Sequence, residues 1–369
     1  FDDLKKALTV LLAVASWQQS WQGLVQALSA KLGWVVLALL VWLALVWKSR
    51  NLRARLRLMS ASIGKVGRDH FGFTLKAVLI TCLLALVWPL PIAAIGVLLI
   101  VDNNASELTR ALGHGFSGAA FFAVIVIGLR QLCRSYGLAL LHLNWSERIT
   151  KLLRHHLSWY LFIGIPCAFL ISMTEQLSDG LYRDTLGRLA FIIGAFALTV
   201  LLARIMHPSQ GIPGDYLKQQ TRLGWRLRHL WYPVIVAVPT LISLIVLPGY
   251  YYTALQLLSR LFFTLCLFVG AAIVIGLILR WLRIEQRRLA WSRARAKRGA
   301  LLEARAKEAD AASGQGLPPL LESDVLDMNT ISEQSRSLLK LLTIVSLGVG
   351  LWIIWRDLLP AFTLLHNVT

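Results

Sequence analysis

Eight stretches of this chain are apolar over nearly the length a helix needs to cross a bilayer, and that feature limits the fold more than any motif. They run over residues 31–47, 77–101, 116–132, 157–173, 189–206, 230–247, 261–279 and 341–355. A hydrocarbon core of ~30 Å takes about 20 apolar residues per helix. The bulk composition agrees. Of 369 residues 57% are hydrophobic and 15% charged, where a soluble domain holds about 45–50% and about 25%. The expected fold class is an all-α membrane protein of about eight transmembrane helices, with amphipathic cytoplasmic connectors and one long basic cytoplasmic helix.

The charges arrange these spans. Thirty of the 38 Lys and Arg residues lie in four connecting stretches, 48–76, 130–154, 204–228 and 280–340, and the basic count alternates low and high from loop to loop. Basic loops stay on the cytoplasmic side, so the four stretches are expected inside and both ends of the chain outside. A net charge of +19 in so apolar a chain points to anionic lipid headgroups and not to nucleic acid. Trp34, Trp42, Trp47, Trp231, Tyr232, Trp352 and Trp355 lie near expected span ends, and Tyr250, Tyr251 and Tyr252 follow Pro248-Gly249 in a short outer loop. Both sets suit interfacial aromatics.

Several connectors read as structured. Residues 136–157 carry apolar positions on one face among basic ones, the pattern of a helix lying in the inner interface. Arg53, Arg55 and Arg57 alternate with apolar neighbours, and 217–231 is similar. The lipid-facing basic candidates are therefore Arg53, Arg55, Arg57, Arg148, Lys151, Arg154, Arg226 and Arg228. The seventh span runs on into about 33 helix-favouring residues rich in Ala, Arg, Leu and Glu, with Glu303/Lys307 and Arg305/Glu308 spaced for helical pairing. Residues 313–320, with paired prolines, break that helix before an acidic return segment. Pro89 and Pro91 predict a kink or break in the second span, and Pro166, Pro233 and Pro239 predict bends in the fourth and sixth. These five prolines are the hinge candidates.

No expected span has a charged residue at its centre, which weighs against a proton-coupled transporter, a pump or a voltage sensor. No P-loop, HExxH or GxSxG pattern occurs. Glu175, Asp179, Arg183, Asp184 and Arg188 gather in one outer loop, where a solvated loop is a better reading than a carboxylate pair. Four cysteines lie far apart, with no metal or disulfide pattern. No catalytic residue, cofactor or metal is expected. Ala190/Gly194, Ala272/Gly276 and Ser346/Gly350 are small-xxx-small pairs that permit close helix approach.

One segment carries a resemblance. Residues 321–362 include Asp327-Met328-Asn329-Thr330-Ile331-Ser332-Glu333-Gln334-Ser335, then Leu338-Leu339, then a WxxWxDLLPA run from Trp352 to Ala361. This stretch resembles the segment that precedes the pore module in large MscS-like mechanosensitive channels. The resemblance implies a homo-heptamer in the bacterial inner membrane that releases ions and small osmolytes on hypo-osmotic shock through a pore outside this chain. It assigns these residues to a tension-sensing, lipid-facing helical paddle. Phe1 in place of an initiator Met accords with a piece of a longer polypeptide. The expected organisation is an outer N-terminal helical segment at 1–30, seven spans at 31–279, a basic helix and acidic linker at 280–337, and an eighth span at 338–369. A permease subunit and a membrane scaffold remain the competing readings.

Overall fold

Two serines set the starts of the two best-packed helices. Ser106 Oγ accepts from Thr109 N and Ser146 Oγ from Ile149 N, at 3.2 and 3.3 Å, and each is followed by a glutamate in the first turn. Such caps satisfy backbone donors that the first turn leaves orphaned, and the acid complements the positive helix end. The computed structural model describes residues 25, 29, 31–60, 70–101, 106–213, 228–310 and 324–358, and all regular structure among them is helical. The helices are α1 (Leu32–Ser60), α2 (Phe71–Leu86), α3 (Pro89–Ile100), α4 (Glu107–Leu132), the single turn α5 (Leu138–Leu141), α6 (Glu147–Thr174), the short α7 (Gly180–Tyr182), α8 (Arg188–Ile205), α9 (Arg228–Ile245), α10 (Tyr251–Asp310) and α11 (Asp324–Trp355). A π-turn over Arg183–Gly187 joins α7 to α8.

Among the described residues six helical segments are long and apolar enough to cross a membrane, the bent pair α2–α3 makes a seventh, and a shorter apolar helix, His229–Ile245, stands where the remaining span is expected. The chain is thus a multi-pass membrane protein. It divides into two units, the first of residues 1–61 and 74–261, the second of 62–73 and 262–369.

In the first unit each long helix packs chiefly on its neighbour in sequence, in the order α1, α3, α4, α6, α8, α9. Glycines and alanines line these seams. A Cβ on Gly96 would fall 2.8 Å from Ser117 N and 2.9 Å from Gly113 O, so α3 and α4 touch through their backbones. Between α8, α9 and the start of α10, Phe191, Ala195, Ile242, Val246, Tyr251 and Ala254 form a buried cluster.

The bend between α2 and α3 is 56°, at Pro89 and Pro91, the first and third residues of α3. Proline has no N–H to donate. The Val87 carbonyl would be served by residue 91 in an unbroken helix, and Trp42 Nε1 donates to it instead at 2.9 Å. Trp42 therefore sits eleven residues into α1 at the break, not at the span end expected for it. Tyr251 departs similarly. It is 2% exposed and edge-on to Phe191 at 5.8 Å, while Tyr250 and Tyr252 stay exposed. Gly249, at φ +103°, makes the turn that sends Tyr251 inward.

The interfacial helix expected over 136–157 is not present as one element. α5 ends in a loop where Asn144 takes φ 60°, and residues from Glu147 onward are the first turns of the long helix α6. Amphipathicity over that window came from joining two elements with different axes. In the connection from α6 to α8 Arg183 pairs with Glu175 and Arg188 with Asp184, at 3.3 and 3.1 Å, and Asp179 caps α7. These charges hold the turn into α8.

The second unit pairs α11 with α10 antiparallel. Trp355 Nε1 donates to Thr264 Oγ1 at 3.1 Å, and Gly350 lies against Leu267. α10 continues unbroken for 60 residues, about 90 Å at 1.5 Å per residue, and its far half carries the basic run. His70 Nδ1 and Arg288 are 2.6 Å apart in this unit. Residues 1–24, 214–227 and 311–323 lie outside the described residues. With them fall most of the N-terminal segment expected at 1–30, Arg226 and the break expected at 313–320. The side chain of Lys307 also lies outside what is described.

Candidate functional site

Three of the basic candidates, from two stretches almost a hundred residues apart, meet in one cavity. Arg53 and Arg57 come from the last two turns of α1, one turn apart and so on one face. Arg154 comes from the second turn of α6. Arg134, which the sequence reading did not single out, completes the set from the turn after α4. The cavity holds about 220 Å³ and is closed on its apolar side by Leu56 and Leu84. Among the described residues, none that lines it is an acid.

The turn that carries Arg134 depends on Gly137. Its N–H donates to Arg134 O at 2.7 Å, and a Cβ there would lie 2.6 Å from Leu132 O. Only glycine lets the chain double back so tightly. Arg134 then donates to Gln131 Oε1 at 3.2 Å, and the Arg57 guanidinium lies 5.5 Å from the Tyr136 ring centroid. Next door, burial pushes the Cys133 thiol up to about 12, so it stays protonated despite its basic neighbours.

Electrostatically the cavity is one-signed. Partial burial, then repulsion from Arg53, Arg154, Arg130 and Arg57, hold Arg134 below the ordinary arginine value. Arg53 Nε is buried with no hydrogen-bond partner among the described residues. The C-terminal ends of α1 and α4 offer some relief, since a helix end carries roughly half a negative charge. Two such ends stand against the four guanidiniums that line the cavity.

The other candidates are placed elsewhere. Arg55 is exposed on another face of α1. Arg148 is exposed and donates to Ser209 O at 3.1 Å, and Lys151 pairs with Glu147 at 2.8 Å. Arg228 opens α9, and its side chain lies outside what is described. Pro166 lies inside α6, and Pro233 and Pro239 inside α9. Arg134 had a sequence signal: Arg130 and Arg134 stand together where the third apolar stretch stops, and basic residues there complement the negative end of a helix.

Comparison with known proteins agrees with this membrane architecture. The family model described as mechanosensitive ion channel inner membrane domain 1 matches residues 32–369. The chain is 28% identical over 331 residues to the miniconductance mechanosensitive channel MscM of Escherichia coli (strain K12), covering 88% of this chain and 29% of that protein. It is 27% identical over 374 residues to the mechanosensitive channel MscK of the same organism, covering 99% of this chain and 30% of that one. The chain therefore spans less than a third of the length of these curated relatives. No solved structure matches it. With the family model covering the chain from the first described span onward, this protein belongs to the mechanosensitive ion channel inner membrane domain 1 family.

Proposed function

We propose that these residues form the tension-sensing, lipid-facing region of a mechanosensitive channel that releases ions and small osmolytes on hypo-osmotic shock. The observation that carries the reading is the sequential row of helices in the first unit. Its first helix, α1, is almost uncovered, with Trp47 80% exposed and Leu39, Leu40 and Leu43 outward as well. A row in which helices pack on their sequence neighbours, with α1 only sparsely held at its edge, can tilt or spread at less cost than a closed bundle. Membrane tension favours whichever state occupies more area, and only such a difference between states shifts a population. The 56° break between α2 and α3 offers a place to take up the change, because the Val87 carbonyl is held there by a side chain and not by the helix ladder.

On this reading the basic helix ends face the cytoplasm of a bacterial inner membrane, and the protein assembles as a homo-heptamer around a pore module outside these residues. Prolines 166, 233 and 239 add flexibility to α6 and α9. The test is survival of osmotic downshock. A strain stripped of its own mechanosensitive channels and expressing the full-length product should survive transfer to low osmolarity. Survival no better than the empty strain, with the protein present in the membrane, would refute the proposal.

A further inference from the structure

The arginine-lined cavity has the makings of a binding site that the tension-sensing reading neither contains nor requires. Four guanidiniums converge on a space of about 220 Å³ that no acid among the described residues lines. At about 30 Å³ per water this is room for a phosphate group with several waters. Arg53, Arg134 and Arg154 are half-buried and Arg57 is exposed at the rim, and like charges partly withdrawn from solvent are costly unless an anion joins them. Arginine presents a planar fork that matches phosphate oxygens two at a time. The buried Arg53 Nε, without a partner among the described residues, is a donor waiting for an acceptor. We propose that the cavity binds phosphate groups, supplied by an anionic phospholipid, with Arg53, Arg57, Arg134 and Arg154 as the ligating residues.

The surroundings favour a lipid over free phosphate. Leu56 and Leu84 form an apolar wall beside the arginines. One and a half turns back along α1 lie Val46 and Trp47, exposed and apolar, about 9 Å of helix from Arg53. A headgroup in the cavity would leave its acyl chains a lipid-facing surface on the same helix. The bound lipid would also tie α1, the least covered helix, to the α4 turn and to α6. A phospholipid with two phosphates, such as cardiolipin, could engage arginines from both sides of the cavity.

The test uses the purified full-length protein in phosphatidylcholine nanodiscs, titrated with acyl-chain-labelled cardiolipin and separately with labelled phosphatidylcholine. Cardiolipin should bind at least tenfold more tightly. R134Q/R154Q should weaken it about a hundredfold, tenfold or about 1.4 kcal/mol per arginine. R134K/R154K, which keeps charge and loses the fork, should fall between. R55Q/R148Q should leave binding within twofold. Millimolar inorganic pyrophosphate should fail to displace the lipid. Should R134Q/R154Q not fold, R53Q carried through the same titration decides. Equal losses in both double variants, or no preference for cardiolipin, overturn the proposal. Displacement by pyrophosphate, with pyrophosphate binding in lipid-free detergent at the same arginines, overturns the lipid as its source. None of these readouts depends on channel opening.

Discussion

Gly96→Val should push α3 off α4 and sharply lower the yield of folded protein. The Cβ alone would sit 2.8 Å from Ser117 N and 2.9 Å from Gly113 O, both backbone atoms that cannot swing aside. Overpacking a tight interface costs about 1–3 kcal/mol, and a clash with main chain belongs at the upper end or beyond. Lipid offers helices no hydrophobic drive to associate, so close backbone approach supplies much of the adhesion. Gly113→Val should act alike from the other side, since its Cβ would lie 2.9 Å from Gly96 O. The check is the monodisperse fraction after detergent extraction and the midpoint of SDS unfolding. Gly33→Val, with nothing within 4 Å, should change neither, so similar losses at Gly33 and Gly96 would discard the explanation.

Phe191→Ala is expected to have the other large effect. Phe191 is fully buried at the meeting of α8, α9 and the start of α10, edge-on to Tyr251. Removing a buried phenyl ring costs about 3–5 kcal/mol, partly through the cavity left behind. The ring holds three helices together at once, so α9, short and carrying two internal prolines, should be the first to loosen. Phe196, five residues on and 67% exposed, provides the control. Phe196→Ala should leave the SDS-unfolding midpoint nearly unchanged, while Phe191→Ala moves it markedly. Equal shifts would mean that the ring at 191 packs no better than one facing lipid.

The eight apolar stretches were legible because lipid demands a fixed length of apolar helix, and a count of hydrophobic residues finds it. Their ends were less so. α4 begins at Glu107 and α6 at Glu147, nine and ten residues before the apolar runs at 116 and 157. The signal there is a capping serine followed by an acid, which hydropathy does not register. Packing was partly legible: Gly350, of the pair Ser346/Gly350, does lie tight against its neighbour, where a Cβ would come within 2.8 Å of Leu267. The pair Ala190/Gly194 stood out in sequence, yet a Cβ on Gly194 makes only ordinary contact with Cys167, at 3.4 Å. The tight seam runs through Gly113 and Ser117, a pair of the same spacing hidden among polar residues near a helix start. Tyr251 looked like its exposed neighbours because one turn of chain decides which of three adjacent tyrosines faces inward, and only Gly249's positive φ sets that turn.

The arginine cavity was half legible. Arg53, Arg57 and Arg154 stood out as basic residues beside apolar ones, but so did Arg55 and Arg148, and composition cannot separate them. Helical geometry does: Arg55, two residues from each of the others, points to another face, while Arg53 and Arg57 share one. That Arg134 joins them follows from the tight turn at Gly137, a tertiary fact with a faint local signature.

On the proposed reading this helical row responds to membrane tension. Pressure-clamp recording of the full-length protein, in membranes lacking other mechanosensitive channels, tests it most directly when paired with Pro89→Ala/Pro91→Ala, which restores the missing N–H donors at the break. The expected result is suction-evoked unitary currents whose threshold moves in the straightened variant while unitary conductance does not. Silence up to membrane rupture with folded protein present, or identical thresholds in the two proteins, would contradict it.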